Sequence, residues 1–386
     1  MYENVSFVKE HCFGCRSCEQ VCSIKCIDMK ANAEGFLYPG VNEAACIHCG
    51  RCVQSCPAEQ SDLHRNRPFE MYGIKSRDEK AVMNSASGGA ADAAARSIIL
   101  EGGVVFGAAY NEKQKVMHIE VDQADDLYRI QSSKYVQSDL AECYSRAKEY
   151  LKEGRKVLFT GTPCQIAGLY SFLGKEYGSL YTLDLICHGV PSPLFFEKYN
   201  EFIEKKMGGK VLEYNFRSKE RKGWGTQLLL KIRTRTDART QLFSLSRYGR
   251  HFLDGDCYRM SCYQCPFADM KRCGDLTAGD YWGINRYNPE MFSEKGVSSV
   301  GVNTEKGKEL LNKMNIEAVP IKEEAFLEKQ DNLKHPTPMP DSRKTFYVNV
   351  SEENFIDSIK VGILLKERIK ALIPAKVFVF LKKIRG

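Results

Sequence analysis

Between residues 71 and 186 short apolar runs alternate with segments of helix length, and this rhythm sets the expected fold. Met71–Ser76, Val104–Tyr110, Val116–Val121, Lys156–Thr160 and Tyr181–Ile186 read as strands, being short, rich in β-branched and aromatic residues and bounded by glycine or polar residues. Ala90–Leu100, Ala141–Glu153 and Ile166–Lys175 read as helices, and another begins within Asp125–Gln131. Strand, crossover and strand make a βαβ unit with parallel strands, and ligands of such sheets sit beyond the carboxyl ends of the strands. Two of the strands run straight into Gly161-Thr-Pro-Cys-Gln165 and Cys187-His-Gly-Val-Pro191, so Cys164 and Cys187 are expected to face one crevice. Each alone could equally be an inert buried thiol. After a helix at Phe195–Lys206 the pattern changes to period two in Val211–Phe216, Gln227–Thr234 and Thr240–Leu245, as antiparallel strands require. A strand and a helix between Gly296 and Met314 close the domain. In the tail, Phe355, Ile359, Ile363, Arg368 and Leu372 fall near helical spacing until Pro374, and Val377–Leu381 is apolar.

The first 67 residues follow another logic. Cys12, Cys15, Cys18 and Cys22, then Cys46, Cys49, Cys52 and Cys56 with Pro57, repeat the spacing C-x-x-C-x-x-C-x-x-x-C. This is the ligand run of a two-cluster ferredoxin, in which the fourth cysteine of each run binds the other cluster. The spacing assigns Cys12, Cys15, Cys18 and Cys56 to one [4Fe-4S] cluster and Cys46, Cys49, Cys52 and Cys22 to the second. Zinc sites use two separated cysteine pairs and do not fit this crowding. Ser23 stands where the first run would carry proline, and Cys26 is a spare thiol.

A second dense stretch holds Cys257, Cys262-x-x-Cys265, Cys273 and Gly279-Asp-Tyr-Trp-Gly283. Cys262 and Cys265 together with Cys164 and Cys187 would complete four thiolates for a third cluster, with Cys257 and Cys273 as competing ligands. At the turn into Ala90–Leu100, Ser87, Gly88 and Gly89 can offer backbone N–H groups to a phosphate at a helix N-terminus. The same residues also make an ordinary turn.

At 386 residues the chain exceeds one ferredoxin fold. The expected division is a two-cluster domain over 1–67, a larger domain over 68–335 and a C-terminal extension over 336–386. The fold class is α+β: an N-terminal two-cluster ferredoxin-type domain followed by a larger mixed α/β domain. Of sixteen cysteines at least eight fall in cluster spacing, which implies a reducing, cytoplasmic setting. The opening residues lack a basic segment followed by an apolar core, so no secretory leader is expected, and no apolar run reaches the length of a membrane span. Of the net charge of +7, residues 355–386 supply +6, with eight Lys/Arg against Asp357 and Glu367. The nearly neutral body argues against nucleic acid as a partner. The basic tail fits either peripheral contact with an anionic membrane or a helix packed on the body.

Ser87-Gly88-Gly89, Gly161-Thr-Pro-Cys-Gln165, Cys187-His-Gly-Val-Pro-Ser192, Cys262-x-x-Cys265 and Gly279-Asp-Tyr-Trp-Gly283 occur in that order. Together, over residues 70–335, they resemble the coenzyme F420 hydrogenase/dehydrogenase beta subunit family, in which a fused ferredoxin unit is common. The resemblance implies that the larger domain binds FAD beside an iron–sulfur cluster. It implies an oxidoreductase acting on a deazaflavin or related acceptor, with a redox partner protein or a small-molecule acceptor, and it links this architecture to surface-polysaccharide synthesis. On that basis the FAD phosphates are expected near Ser87, Gly88 and Gly89. Lys134 is expected near a phosphate or the ring, and Gly161 and Thr162 beside the isoalloxazine. His188 and Asp280 are the candidates for moving a proton. An electron-transfer subunit with no substrate site of its own, or a redox-sensing scaffold, are the rival classes.

Overall fold

The computed structural model describes residues 3–359 apart from 60–62, 64, 222 and 226–228, and beyond them 362, 365–374 and 377. The N-terminal unit is a pseudo-repeat built around its cysteines. α1 (Ser17–Val21) carries Cys18 and α2 (Arg51–Gln54) carries Cys52. Each is preceded by a left-handed residue, Arg16 at φ 59° and Gly50 at φ 70°, which turns the chain sharply into the helix. Between the halves β1 (Ile27–Ala31) pairs antiparallel with β2 (Leu37–Val41).

The larger domain is organised by an eight-stranded mixed sheet. Its strands are β3 (Glu70–Ser76), β4 (Val104–Tyr110), β5 (Val116–Val121), β6 (Val157–Gly161) and β7 (Leu180–Leu185). β8 (Glu213–Ser218), β9 (Leu229–Arg233) and β10 (Ala238–Leu242) form a separate antiparallel sheet, and β11 (Leu276–Asp280), β12 (Ser298–Val302) and β13 (Ile316–Pro320) complete the first. The order is β13-β3-β12-β11-β7-β6-β4-β5, and β4, β6, β7 and β11 run parallel. Gly161 pairs with Asp184, and Thr277 pairs with the same Asp184 from the other side. The carboxyl ends of the parallel strands therefore open at one edge of the sheet, where parallel sheets bind ligands. α3 (Glu79–Asn84) and α4 (Ala90–Leu100) follow β3, α5 (Cys143–Lys152) precedes β6, and α6 (Pro163–Leu173) crosses from β6 to β7. α7 (Pro193–Met207) and α8 (Arg247–Asp254) flank the small sheet.

Several elements differ from expectation for local reasons. The crossover helix starts at Pro163 and not at Ile166, because Thr162 and Gln165 form a capping box with proline at the first helical position. Cys164 thus lies in the first helical turn. Asp125–Gln131 overlaps a 3-10 segment, Ala124–Arg129. β11 was hidden by its small residues, Thr277, Ala278 and Gly279, and β13 by its exposed, mixed sequence. Residues 336–359 are not an appendage. Phe346, Tyr347, Val350, Phe355 and Ile356 are buried in one core with Phe195, Phe216 and Tyr248, and Arg343 donates to both carboxylate oxygens of Glu34 at 2.8 and 2.7 Å. Of the tail stripe, Phe355 is buried, Ile359 is half-buried and Arg368 and Leu372 are exposed, whereas Ile363 and most of Val377–Leu381 lie outside the described residues.

One buried carboxylate ties the sheet to the loop after α8. Asp184, at the end of β7, accepts from Arg272 Nε and Nη2 at 3.2 and 2.9 Å, from Thr277 Oγ1 at 2.8 Å and from the backbone N–H groups of Cys273 and Gly274 at 3.1 and 2.9 Å. Arg272 also donates to the carbonyls of Phe267, Asp269 and Leu185. Both side chains are fully enclosed. Removing one member strands the other charge, at a cost of about 3–5 kcal/mol. Asp184→Asn is therefore expected to lower the thermal midpoint clearly, whereas Lys113→Gln at the surface leaves it unchanged. Equal midpoints by calorimetry would refute the anchor.

Candidate functional site

Cys12, Cys15, Cys18 and Cys56 line one cavity of about 20 Å³, capped by Val5, Val8 and Phe13. Burial raises the Cys15 and Cys18 thiols well above their ordinary value, and neighbouring cysteines push further the same way. Four thiolates so close are stable only around a positive centre, so this donor set fits an iron–sulfur cluster. The other set reaches the surface: Cys52 is buried, Cys22 and Cys46 are half-buried and Cys49 is exposed. Partial burial raises the Cys22 pKa, but the backbone N–H groups of Cys26, Ile24 and Lys25 outweigh it and bring it down. The spare Cys26 is buried with its Sγ 3.6 Å from that of Cys22.

Cys164, Cys187, Cys262 and Cys265 line a second cavity of about 30 Å³ with Phe13, Phe267 and Ala268. The first two come from the ends of β6 and β7, and the last two from the loop held by Arg272. Burial and then mutual repulsion push Cys187, Cys262 and Cys265 up to about 12. Cys257 and Cys273, the competing residues, are buried in the apolar cores on either side and do not line this cavity. None of the sixteen cysteines is paired in a disulfide.

Arg259 holds the dicluster unit against this loop. Its Nε donates to Cys12 O at 2.6 Å, Nη2 to Leu37 O at 2.8 Å and Nη1 to Gln137 Oε1 at 3.1 Å. Ser261 Oγ donates to the same Cys12 carbonyl, and Gln137 Nε2 to Phe13 O. Arg16 Nη2 adds a bond to Asp139 at 2.9 Å.

A third, larger cavity of about 300 Å³ lies at the carboxyl edge of the sheet. Ser87, Gly89, Lys134, Gly161, Thr162, His188 and Asp280 all line it. Gly89, at φ 85°, caps α4, whose first turn faces the cavity together with Ala90, Ala91 and Asp92. Leu127 and Ile130 give an apolar wall, Ser132 and Ser133 a polar one, and the buried Gln131 Oε1 has no protein partner. An elongated ligand with apolar rings and hydrogen-bonding groups fits this lining.

Gly88 does not line the cavity. A Cβ there would lie 2.2 Å from Ile74 O and 2.5 Å from Ser298 N, so its small size serves the contact with β3 and β12 and not a phosphate. Asp280 is likewise committed, accepting from Arg217 Nη1 and Nη2 at 2.9 and 2.6 Å and from Trp224 Nε1 at 2.6 Å. That geometry makes it an anchor for Arg217, a cationic residue the sequence did not single out. His188 lies at the mouth, and its pKa is lowered by the surrounding protein, with Asp280 opposing. His118 was also missed. Its Nε2 donates to Thr160 O at 2.9 Å and its Nδ1 accepts from Ser138, and burial lowers its pKa to about 4. Only the pairing of β5 with β4 brings His118 to the cavity floor.

Residues 154–325 match the family described as the C terminus of the coenzyme F420 hydrogenase/dehydrogenase beta subunit, and residues 11–60 and 38–97 match 4Fe-4S dicluster domains. Residues 154–325 belong to this beta subunit family, and a 4Fe-4S dicluster unit is fused in front of them. The coenzyme F420-dependent sulfite reductase of Methanocaldococcus jannaschii is 31% identical over 147 residues, 38% of this chain and 23% of the relative. The F subunit of the F(420)H(2) dehydrogenase of Methanosarcina mazei is 24% identical over 167 residues, 40% of this chain and 46% of the relative. The chain thus spans less than half the length of these relatives. A chain of the F420-reducing [NiFe] hydrogenase complex from Methanosarcina barkeri aligns at a TM-score of 0.47 and 17% identity, over 74% of this chain and 94% of that one. This beta-subunit-like chain is related to oxidoreductase components. Among the described residues, no helix is long and apolar enough to cross a membrane.

Lys134 supplies a test of the cavity wall. Its Nζ donates to Arg129 O and Gln131 O at 3.2 and 2.6 Å, and burial lowers its pKa to about 7. In the unfolded chain lysine keeps its proton to about 10.4. Between these values the unfolded state binds more protons, so stability rises with pH from about 7 to about 10. Lys134→Met is expected to flatten that rise. Parallel urea midpoints for the two proteins across this window would show that the lysine titrates normally.

Proposed function

We propose that this protein is an iron–sulfur flavoprotein oxidoreductase in which Cys164, Cys187, Cys262 and Cys265 hold a third [4Fe-4S] cluster and the large cavity holds FAD. The observation that carries this reading is the sharing of walls. Phe13, from the first ligand loop, lines both the Cys12 cavity and the Cys164 cavity. Thr162, Cys187, His188, Gly189 and Val190 line both the Cys164 cavity and the large one. When bound, clusters would supply one-electron chemistry and flavin the exchange of one for two electrons.

The chain's own residues have distinct tasks. Phe13, Phe267 and Ala268 exclude water from the third thiol set. Gly89 and the first turn of α4 offer N–H groups to a diphosphate, and Gln131 Oε1 accepts from the ligand. Gly161 and Thr162 bring bare backbone to the cavity wall between the two sites. Lys134, whose pKa burial brings down to about 7, and His188 at the mouth can hold or release a proton near a bound ring. Arg217, fixed by Asp280 and Tyr135, presents positive charge to an anionic acceptor. Burial also lowers the nearby Lys219 to about 7, which leaves Arg217 as the persistent cation.

Three cubanes require about twelve irons per chain after anaerobic purification, and stoichiometric flavin should be released on denaturation. Cys164→Ser, Cys187→Ser, Cys262→Ser and Cys265→Ser should each remove about four irons by the same count, whereas Cys257→Ser and Cys273→Ser should remove none. About eight irons in the parent protein, with no flavin, would leave only the dicluster unit standing.

A further inference from the structure

One face of the dicluster unit plays no part in this arrangement. In the Cys22, Cys46, Cys49 and Cys52 set, Cys49 is exposed, and the apolar residues inside its ligand loops, Ile24 and Ile47, are 42% and 64% exposed. Arg51, between Cys49 and Cys52, is also exposed. α1 packs on α2, α5 and α6, which brings this edge beside Lys148 and Lys152 of α5 and Lys175 just after α6. The proximity is electrostatically visible: partial burial and then the charges of Lys152, Arg51 and Lys175 all lower the Lys148 pKa. Among the described residues none of the four cations has an ion-pair partner. Glu149 on the same helix is taken by Arg146, and Glu3 by His48, and the remaining nearby acids, Glu43 beside Cys46 and His48, Glu153 and Glu176, are fewer than the four cations and leave the face net positive.

An exposed apolar centre with unpaired charge of one sign beside it is the anatomy of a small, transient protein contact. Like charges gathered without counter-charges repel in the free protein and are relieved by an oppositely charged partner. We propose that this face docks an acidic one-electron carrier protein, with Ile24, Ile47 and Cys49 at the centre of the contact and Arg51, Lys148, Lys152 and Lys175 along one side. The proposal rests on the redox reading above for what the partner carries, and on the surface itself for its charge.

The test is calorimetric binding of a reduced or oxidised plant-type [2Fe-2S] ferredoxin, an acidic carrier, to the anaerobically purified holoprotein. Affinity should fall about tenfold or more when salt rises from about 20 to about 200 mM, as the screening length shortens. A Lys148→Glu/Lys152→Glu/Lys175→Glu variant should bind at least about tenfold more weakly at low salt with its iron content unchanged, while Lys113→Glu binds like the parent. Absent or salt-independent binding in the parent, unchanged affinity in the triple variant, or equally tight binding of a basic cytochrome c would each overturn the proposal. Full iron without ferredoxin binding removes the docking face and leaves the proposed function intact. Salt-dependent binding by a protein lacking iron does the reverse.

Discussion

Asp184 is the point on which the arrangement turns. A carboxylate in the middle of a dry sheet is expensive to bury unless every lone pair is met. Here five donors from the single stretch 272–277 meet it, and because charge and geometry must be satisfied together, the loop after α8 has one place to sit. That place sets Cys262 and Cys265 opposite Cys187, three residues beyond Asp184 on the same chain. Sheet register, through the pairing of Gly161 with Asp184, then brings Cys164 alongside. The convergence of the four thiols follows from one buried ion pair and one strand pairing.

What was legible in the sequence was local. The cysteine runs at residues 12–22 and 46–56 could be read because their ligands lie within a few residues, and the helix and strand periods of Ala90–Leu100, Val104–Tyr110 and Val116–Val121 match the observed elements. The expectation that Cys164 and Cys187 face one crevice followed from strand ends alone. Arg272, Arg259 and Arg217 carried no such signal, since their partners lie between 63 and 247 residues away and obey no period. Gly88 shows the opposite failure. Its motif was visible, but only the approach of Ile74 and Ser298 reveals that the missing side chain serves packing. The boundary at residue 336 failed because a charged-looking stretch conceals Phe346, Tyr347, Phe355 and Ile356 at spacings that fill a core.

The dicluster unit is not a bead on a string. The carbonyls of Cys12, Phe13 and Leu37 are all held by side chains of the larger domain, and Glu34 is held by Arg343. Backbone held in this way cannot shift without breaking charge-assisted bonds. The distance between the first thiol set and the third is thereby set by hydrogen bonds and not by a linker.

Arg259 also has a meaning in time. It belongs to a segment made some 200 residues after Cys56, an interval of about 10–40 s at ordinary rates of synthesis. For most of that interval the eight cysteines of the dicluster unit are already made while the residues that clasp their loops do not yet exist. The nascent dicluster segment is therefore open to any factor that delivers iron and sulfide. The four later cysteines, split between residues 164 and 265, come together only once the chain has nearly reached the arginine that seals Asp184.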